Sequence, residues 1–123
     1  MSVLPPPEQK ARYVEGMFAR IASRYDRINR VMTLGMDQGW RVEAVRRLNP
    51  PPGARTLDVG SGTGDFLLPL AEQSALAVGV DFTVPMMQAG LSKIDRLGAR
   101  AAFVGGDALR LPFPDQTFDL VTT

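Results

Sequence analysis

A glycine loop constrains this chain more than any other feature. Residues 56–66 read TLDVGSGTGDF: a short apolar run, a carboxylate at Asp58, then glycines at positions 60, 62 and 64. A run of that kind reads as a buried strand, and the segment behind it reads as a helix. Between them, glycines allow a tight turn and let a ligand approach the backbone closely. A plain strand–helix turn needs glycine only for its backbone angles and seldom takes three at alternate positions. The loop therefore predicts a nucleotide-binding α/β sheet.

Two nucleotide chemistries compete for such a loop. The dinucleotide fingerprint is G-x-G-x-x-G, with a pyrophosphate at the helix N-terminus. Here the spacing is G-x-G-x-G, and Asp58 stands two residues before Gly60. A carboxylate aimed at the loop repels a pyrophosphate and suits a ligand with an ammonium group. S-adenosylmethionine carries an ammonium, a sulfonium and no phosphate, so Asp58, Gly60, Ser61, Gly62 and Thr63 favour it over NAD.

The rhythm beyond the loop supports a parallel sheet. Strands are expected over 56–59, 75–80, 101–104 and from 118 to 122, with helices over 64–73 and 85–97. Residues 75–80 are almost wholly apolar, as in a strand covered on both faces. Repeated strand–helix–strand units imply a Rossmann-like, doubly wound parallel α/β sheet with right-handed crossovers. Asp81 ends the second strand, 23 residues beyond Asp58, where an acid can accept both ribose hydroxyls of a nucleoside. Asp107 ends the third, and with the backbone N–H of Ala108 it is suited to read adenine. A lone strand-tip Asp is commonly a helix cap. Three in register with a glycine loop form a constellation at the edge where such sheets bind ligands.

The front of the chain has another rhythm. Val14, Met17, Phe18, Ile21, Tyr25 and Ile28 fall on one helical stripe, so a helix is expected over about 8–32. Gly35 breaks it. A second helix follows, which Asp37 can cap, with Trp40, Ala44 and Leu48 on its inner face. NPPPG at 49–53 ends that helix, because proline cannot continue one. This divides the chain into a helical segment, 1–50, facing substrate as a lid, and an α/β cofactor-binding half-domain, 51–123. Residues 1–50 hold nine Lys/Arg against five Asp/Glu, and 51–123 hold five against eight, although the whole chain is only +1. A basic front reads as a solvated helix face or as a surface for an anionic membrane or substrate. Without cysteine or histidine, disulfides and the commonest general base and metal ligand are excluded, and no metal is expected. The first residues lack a basic stretch followed by an apolar one, so no secretory signal is expected.

LDVGSGTGDF, VGVDFTVPMM and GGDALRLPFPDQTFDLV resemble the successive cofactor motifs of class I S-adenosylmethionine-dependent methyltransferases. FARIASRYDRINRVMTLGMDQGWR (18–41) resembles the signature of the ubiquinone/menaquinone biosynthesis C-methyltransferases. Tyr25, Asp26, Asn29, Gly35 and Trp40 match that signature, Ile28 and Thr33 replace its Met and Ser, and Asp37 stands where the signature has His. The resemblance implies methyl transfer from S-adenosylmethionine to a ring carbon of a prenylated quinol, the demethylmenaquinol or ubiquinol-precursor type. It implies cofactor contacts from Thr63, Asp81, Asp107 and Ala108, with Asp58, Gly60, Ser61 and Gly62 from the superfamily loop and Phe82 beside Asp81. Tyr25 is either a lid over the cofactor or a core aromatic of its helix. The catalytic base is not evident. The candidates are Asp37, which reads first as a helix cap, and an Arg of the first helix.

A peripheral membrane contact through the Arg-rich first helix, a cytoplasmic location and no nucleic-acid partner are expected. The family's chains run well past TFDLVTT, and a complete fold of this class has seven strands. The chain thus corresponds to the N-terminal half of that fold, preceded by two helices. Its fourth strand is expected to be a bare edge exposing Phe118, Leu120 and Val121, open to strand addition or swapping in a homo-oligomer. A cofactor-binding protein without turnover is the alternative, and an NAD-binding Rossmann domain the more distant one.

Overall fold

The computed structural model describes residues 6, 9–17, 24, 31–32 and 34–123. In chain order these include helix α1 (Met36–Leu48), strand β1 (Arg55–Val59), helix α2 (Leu67–Glu72), strand β2 (Leu76–Asp81) and helix α3 (Val84–Ile94). A 3₁₀ stretch (Asp95–Arg100), strand β3 (Ala101–Gly105) and strand β4 (Leu120–Thr122) follow. Ahead of α1 the backbone is helical over 10–17, where Met17 is 37% exposed rather than packed inward. The rest of the expected stripe, Phe18, Ile21, Tyr25 and Ile28, lies outside the described residues.

The four strands are parallel, in the order β3-β2-β1-β4. The chain steps outward from β1 to β2 and β3, then returns with β4 on the other side of β1. That reversal is the mark of a doubly wound sheet, and it opens a crevice beyond the carboxyl ends of β1 and β4. There Asp58 is in register with Gly79 on one side and Thr122 on the other.

Side chains alternate between the two faces of the sheet. One face carries Ala77 and Ala101 under Val45 of α1, Leu67, Leu70 and Ala71 of α2, and Ile94 and Leu97. The other carries Leu57, Val78 and Val80, with Phe113 and Phe118 from the β3–β4 connection laid over them in an edge-to-face pair 5.0 Å apart. Fully burying one such aliphatic side chain is worth about 2 kcal/mol. These apolar runs therefore fix the strand sequence before any polar group is considered.

Element boundaries depart from expectation where backbone geometry intervenes. Helix α2 begins at Leu67 instead of 64, because Gly62 (φ 55°) and Gly64 (φ 90°) hold the preceding residues in left-handed turns. Helix α3 stops at Ile94, and Gly98 (φ 57°) interrupts the continuation to β3. The 49–53 boundary stands as expected: Asn49 turns left-handed and its N–H returns to the Val45 carbonyl.

Two expectations are corrected. On α1, Trp40 is 58% and Leu48 45% exposed, while Asp37 and Val45 are buried. Asp37, Arg41 and Val45 share one face at four-residue spacing. The apolar residues of this helix are spread around its circumference, so no face wins on burial alone and ion pairing selects the face. Asp37 does not act as its cap: Gly35 holds that position without a side-chain hydrogen bond, and Asp37 pairs with Arg41. At β4, Val121 is 55% exposed as expected of an edge, but Phe118 and Leu120 are half-buried against the two cores.

Candidate functional site

The loop after β1 is tied down at every turn. The N–H groups of Gly60 and Ser61 both donate to the Val80 carbonyl, at 2.8 and 3.1 Å. Asp81, at the tip of β2, accepts from the Gly62 N–H at 2.8 Å and from the Thr83 N–H at 2.7 Å. One carboxylate thus buckles the loop to the next strand–helix turn. Two further glycines make room for it. A Cβ on Gly79 would lie 2.8 Å from the Ser61 side chain, and one on Gly90 of α3 would lie 1.9 Å from the Thr63 carbonyl oxygen. Ser61 Oγ is buried without a hydrogen-bond partner among the described residues.

Asp58 lies beneath this loop, 5% exposed. The Thr122 hydroxyl donates to it at 2.8 Å. Burial pushes its carboxyl up to about 6; the Thr122 hydrogen bond opposes the shift, and the negative charge of Asp81 adds to it. A buried anion held this way is stabilised by any cation placed beside it.

Asp58, the loop from Gly60 to Thr63, Asp65 and Phe66, Arg41 of α1, and Thr122 and Thr123 line one cavity of about 220 Å³. Small-molecule pockets usually run from about 300 to 1,000 Å³. This one therefore suits one end of a ligand, with the remainder lying across the strand tips. Its outer wall is a chain of charges. Lys93 of α3 reaches Asp65 at 2.8 Å and the Thr63 hydroxyl at 2.9 Å. Arg41 pairs with Asp37 and stands 3.8 Å from Asp65.

The structure brings together Asp58, Gly60, Ser61, Gly62, Thr63 and Asp81 as the sequence expects. Thr63 is 3% exposed, with its hydroxyl turned to Lys93. Phe82 is 48% exposed at the tip of β2. Asp107 and Ala108 lie outside the cavity. Asp107 is exposed and its carboxylate accepts from the Leu109 N–H at 2.9 Å. Ala108 borders a separate hollow over Leu57, Phe113 and Phe118. The tips still adjoin, since the Gly106 N–H donates to the Asp81 carbonyl at 3.0 Å. Tyr25 lies outside the described residues. Sequence reasoning missed Arg41, Asp65, Lys93 and Thr122. Only Asp65 had a signal, as a second carboxylate within the glycine motif.

The family model of the ubiE/COQ5 methyltransferase family matches residues 7–123. The chain is 61% identical over 99% of its length to a demethylmenaquinone methyltransferase of Roseiflexus castenholzii, covering 51% of that protein. It is 44% identical over 94% of its length to the protein of the same name from Deinococcus radiodurans, covering 48% of it. Among solved structures, a SAM-dependent methyltransferase from Thiobacillus denitrificans in complex with S-adenosyl-L-homocysteine superposes with a TM-score of 0.54. It is 25% identical over 66% of this chain and 34% of that one. The chain spans about half the length of the curated relatives it matches. The match of the family model over nearly the whole sequence, with the glycine loop and strand-tip acids in place, shows that the chain belongs to the ubiE/COQ5 methyltransferase family.

Proposed function

We propose that this chain forms the cofactor-binding half of a methyltransferase that takes S-adenosylmethionine and methylates a ring carbon of a demethylmenaquinol-type substrate. The observation that carries this reading is buried Asp58, its carboxyl pushed up to about 6, opening into a cavity floored by left-handed glycines. A pyrophosphate is repelled there, whereas an ammonium satisfies it. Bound in this place, S-adenosylmethionine supplies a methyl group already activated by its sulfonium.

The protein's task is then alignment and exclusion of water. Asp58 holds the ammonium, and the backbone of Gly60–Thr63 allows close approach. Each Asp81 oxygen accepts one backbone amide and keeps lone-pair capacity for the ribose hydroxyls. Phe82, Asp107 and Ala108 line the open edge where an adenine would extend. Residues 1–50 serve as the lid over 51–123, a reading supported by α1 placing Arg41 in the cavity wall. Tyr25 belongs to that lid by resemblance. Asp37, buried and bound to Arg41, is poorly placed to take a proton from a quinol, and we assign it no role as a base.

Among the described residues no helix is long and apolar enough to cross a membrane. The basic balance of residues 1–50 fits a peripheral contact with an anionic bilayer, on the cytoplasmic side, from which a prenylated substrate is reached. The outer edge of β4 fits strand addition by a second copy.

Calorimetric titration of S-adenosylmethionine and NAD into the chain, with light scattering to give its mass, tests the proposal. Micromolar binding of the former alone supports it, and binding of NAD alone overturns it. Methyl transfer to a demethylmenaquinol analogue then separates an enzyme from a binder.

A further inference from the structure

The cavity that holds Asp58 also contains a cation. Arg41 lines it from α1, with its side chain 25% exposed. Both ion contacts of Arg41 run through one nitrogen, Nη1: to Asp37 one helical turn earlier, and at 3.8 Å to Asp65. Among the described residues the Nε and Nη2 donors make no hydrogen bond. Asp65 already has a nearer cation in Lys93, at 2.8 Å. The guanidinium is therefore anchored on one side and keeps donors for another acceptor, in a cavity too small for a whole nucleoside but suited to an amino-acid end.

We propose that Arg41 is the carboxylate-binding residue of this cavity and that buried Asp37 is its positioning residue, so that Asp58 and Arg41 together recognise a zwitterionic α-amino acid end. This rests on the reading of the site as one for S-adenosylmethionine, and it explains why a carboxylate sits at position 37. Asp37 fixes one edge of the guanidinium fork, which lowers the entropy lost when the other edge engages a ligand. A lysine at 41 can offer charge but not two fixed edges.

The test compares three ligands that share the adenosyl part: S-adenosylmethionine, its decarboxylated form with the ammonium and sulfonium retained, and 5′-methylthioadenosine, a neutral thioether with neither end group. A charge-assisted, forked contact predicts that the native chain binds S-adenosylmethionine at least about tenfold more tightly than the decarboxylated form. Arg41→Met should reduce the affinity for S-adenosylmethionine to that for the decarboxylated form and leave the other two ligands unchanged. Asp37→Asn should narrow the ratio to a few-fold, and Asp37→Glu should restore it. Because Arg41→Met removes a cation from beside the buried Asp37 carboxylate, the double variant Asp37→Asn/Arg41→Gln is measured beside it, and the native ratio needs no variant at all.

Equal binding of the three ligands by the native chain overturns the role of Arg41 and leaves the adenosyl site intact. So does an Arg41→Met variant that weakens all three alike. If the native chain binds none of them, the broader reading of the site falls as well.

Discussion

At the end of β1, Asp58 is 5% exposed and its carboxyl is pushed up to about 6. At the end of β3, Asp107 is exposed and turns its carboxylate onto the Leu109 N–H two residues on. Asp58 lies within β1 and Asp107 two residues beyond β3, both near the carboxyl edge of the sheet, and the sheet explains why they differ. β1 is flanked by β2 and β4 and covered by the glycine loop, so a carboxylate at its tip is enclosed. Among the described residues β3 has one neighbour, and its tip is open. Asp81 at the tip of β2 is intermediate, with both oxygens engaged by backbone amides of two different turns. The enclosed acid carries the electrostatic cost. The middle one carries loop geometry, and the open one carries a local turn.

The largest expected effect comes from opening the enclosed tip. Gly90→Ala places a Cβ 1.9 Å from the Thr63 carbonyl oxygen, so the loop or α3 must move. We expect a loss of about 3 kcal/mol in denaturant unfolding and loss of ligand binding. A change within about 0.5 kcal/mol would show that the loop is not held by α3.

Asp58→Asn separates function from stability. The folded carboxyl titrates near 6 and the unfolded one near 3.8, so the folded state binds more protons between those values. Stability therefore falls as pH rises from about 4 to 6 and stays reduced above it. Asparagine removes that cost and can still accept from Thr122. Expected is a gain of about 1–2 kcal/mol at pH 7 and none at pH 3, by thermal unfolding at both values. The same variant should bind S-adenosylmethionine more than about tenfold less tightly. A loss of stability at pH 7 would mean that Asp58 is a structural acceptor.

Asp81→Asn keeps only one oxygen for two amides. It should cost about 1–2 kcal/mol, read as a lower denaturant midpoint, and loosen the loop. Equal stability of variant and parent would demote Asp81 from buckle to bystander.

For the native chain, protonation of Asp58 opposes an ammonium. Affinity should peak near pH 7, fall about tenfold between pH 7 and 5 as Asp58 is protonated, and fall again above about pH 8 as the ligand's ammonium loses its proton, measured by calorimetry. A flat profile would remove Asp58 from the ligand. Asp107→Asn is the smallest change, under about 0.5 kcal/mol in stability because the group is exposed. A larger effect would bring the open tip closer to the enclosed one than its surroundings suggest.

Most of the fold was legible from residues close together in the chain. The apolar runs at 56–59 and 75–80, the prolines at 50–52 and the three alternate glycines act locally, through burial of a short segment or through permitted backbone angles. They were enough to place the strands, the loop, the 49–53 boundary and the acids at the strand tips. What the tertiary structure alone decided lies in pairings across sequence distance. Thr122 reaches Asp58 from 64 positions away, and Lys93 reaches Asp65 from 28. The inward face of α1 depends on Asp37 and Arg41 meeting the loop near Asp65, which no hydrophobic period encodes. The elevated carboxyl of Asp58 arises only when the wound sheet and the glycine loop bury it, against the opposing hydrogen bond that Thr122 brings from β4. Local propensity is written in neighbouring residues. Desolvation and charge pairing are properties of the enclosure, and exist only once the sheet has been wound.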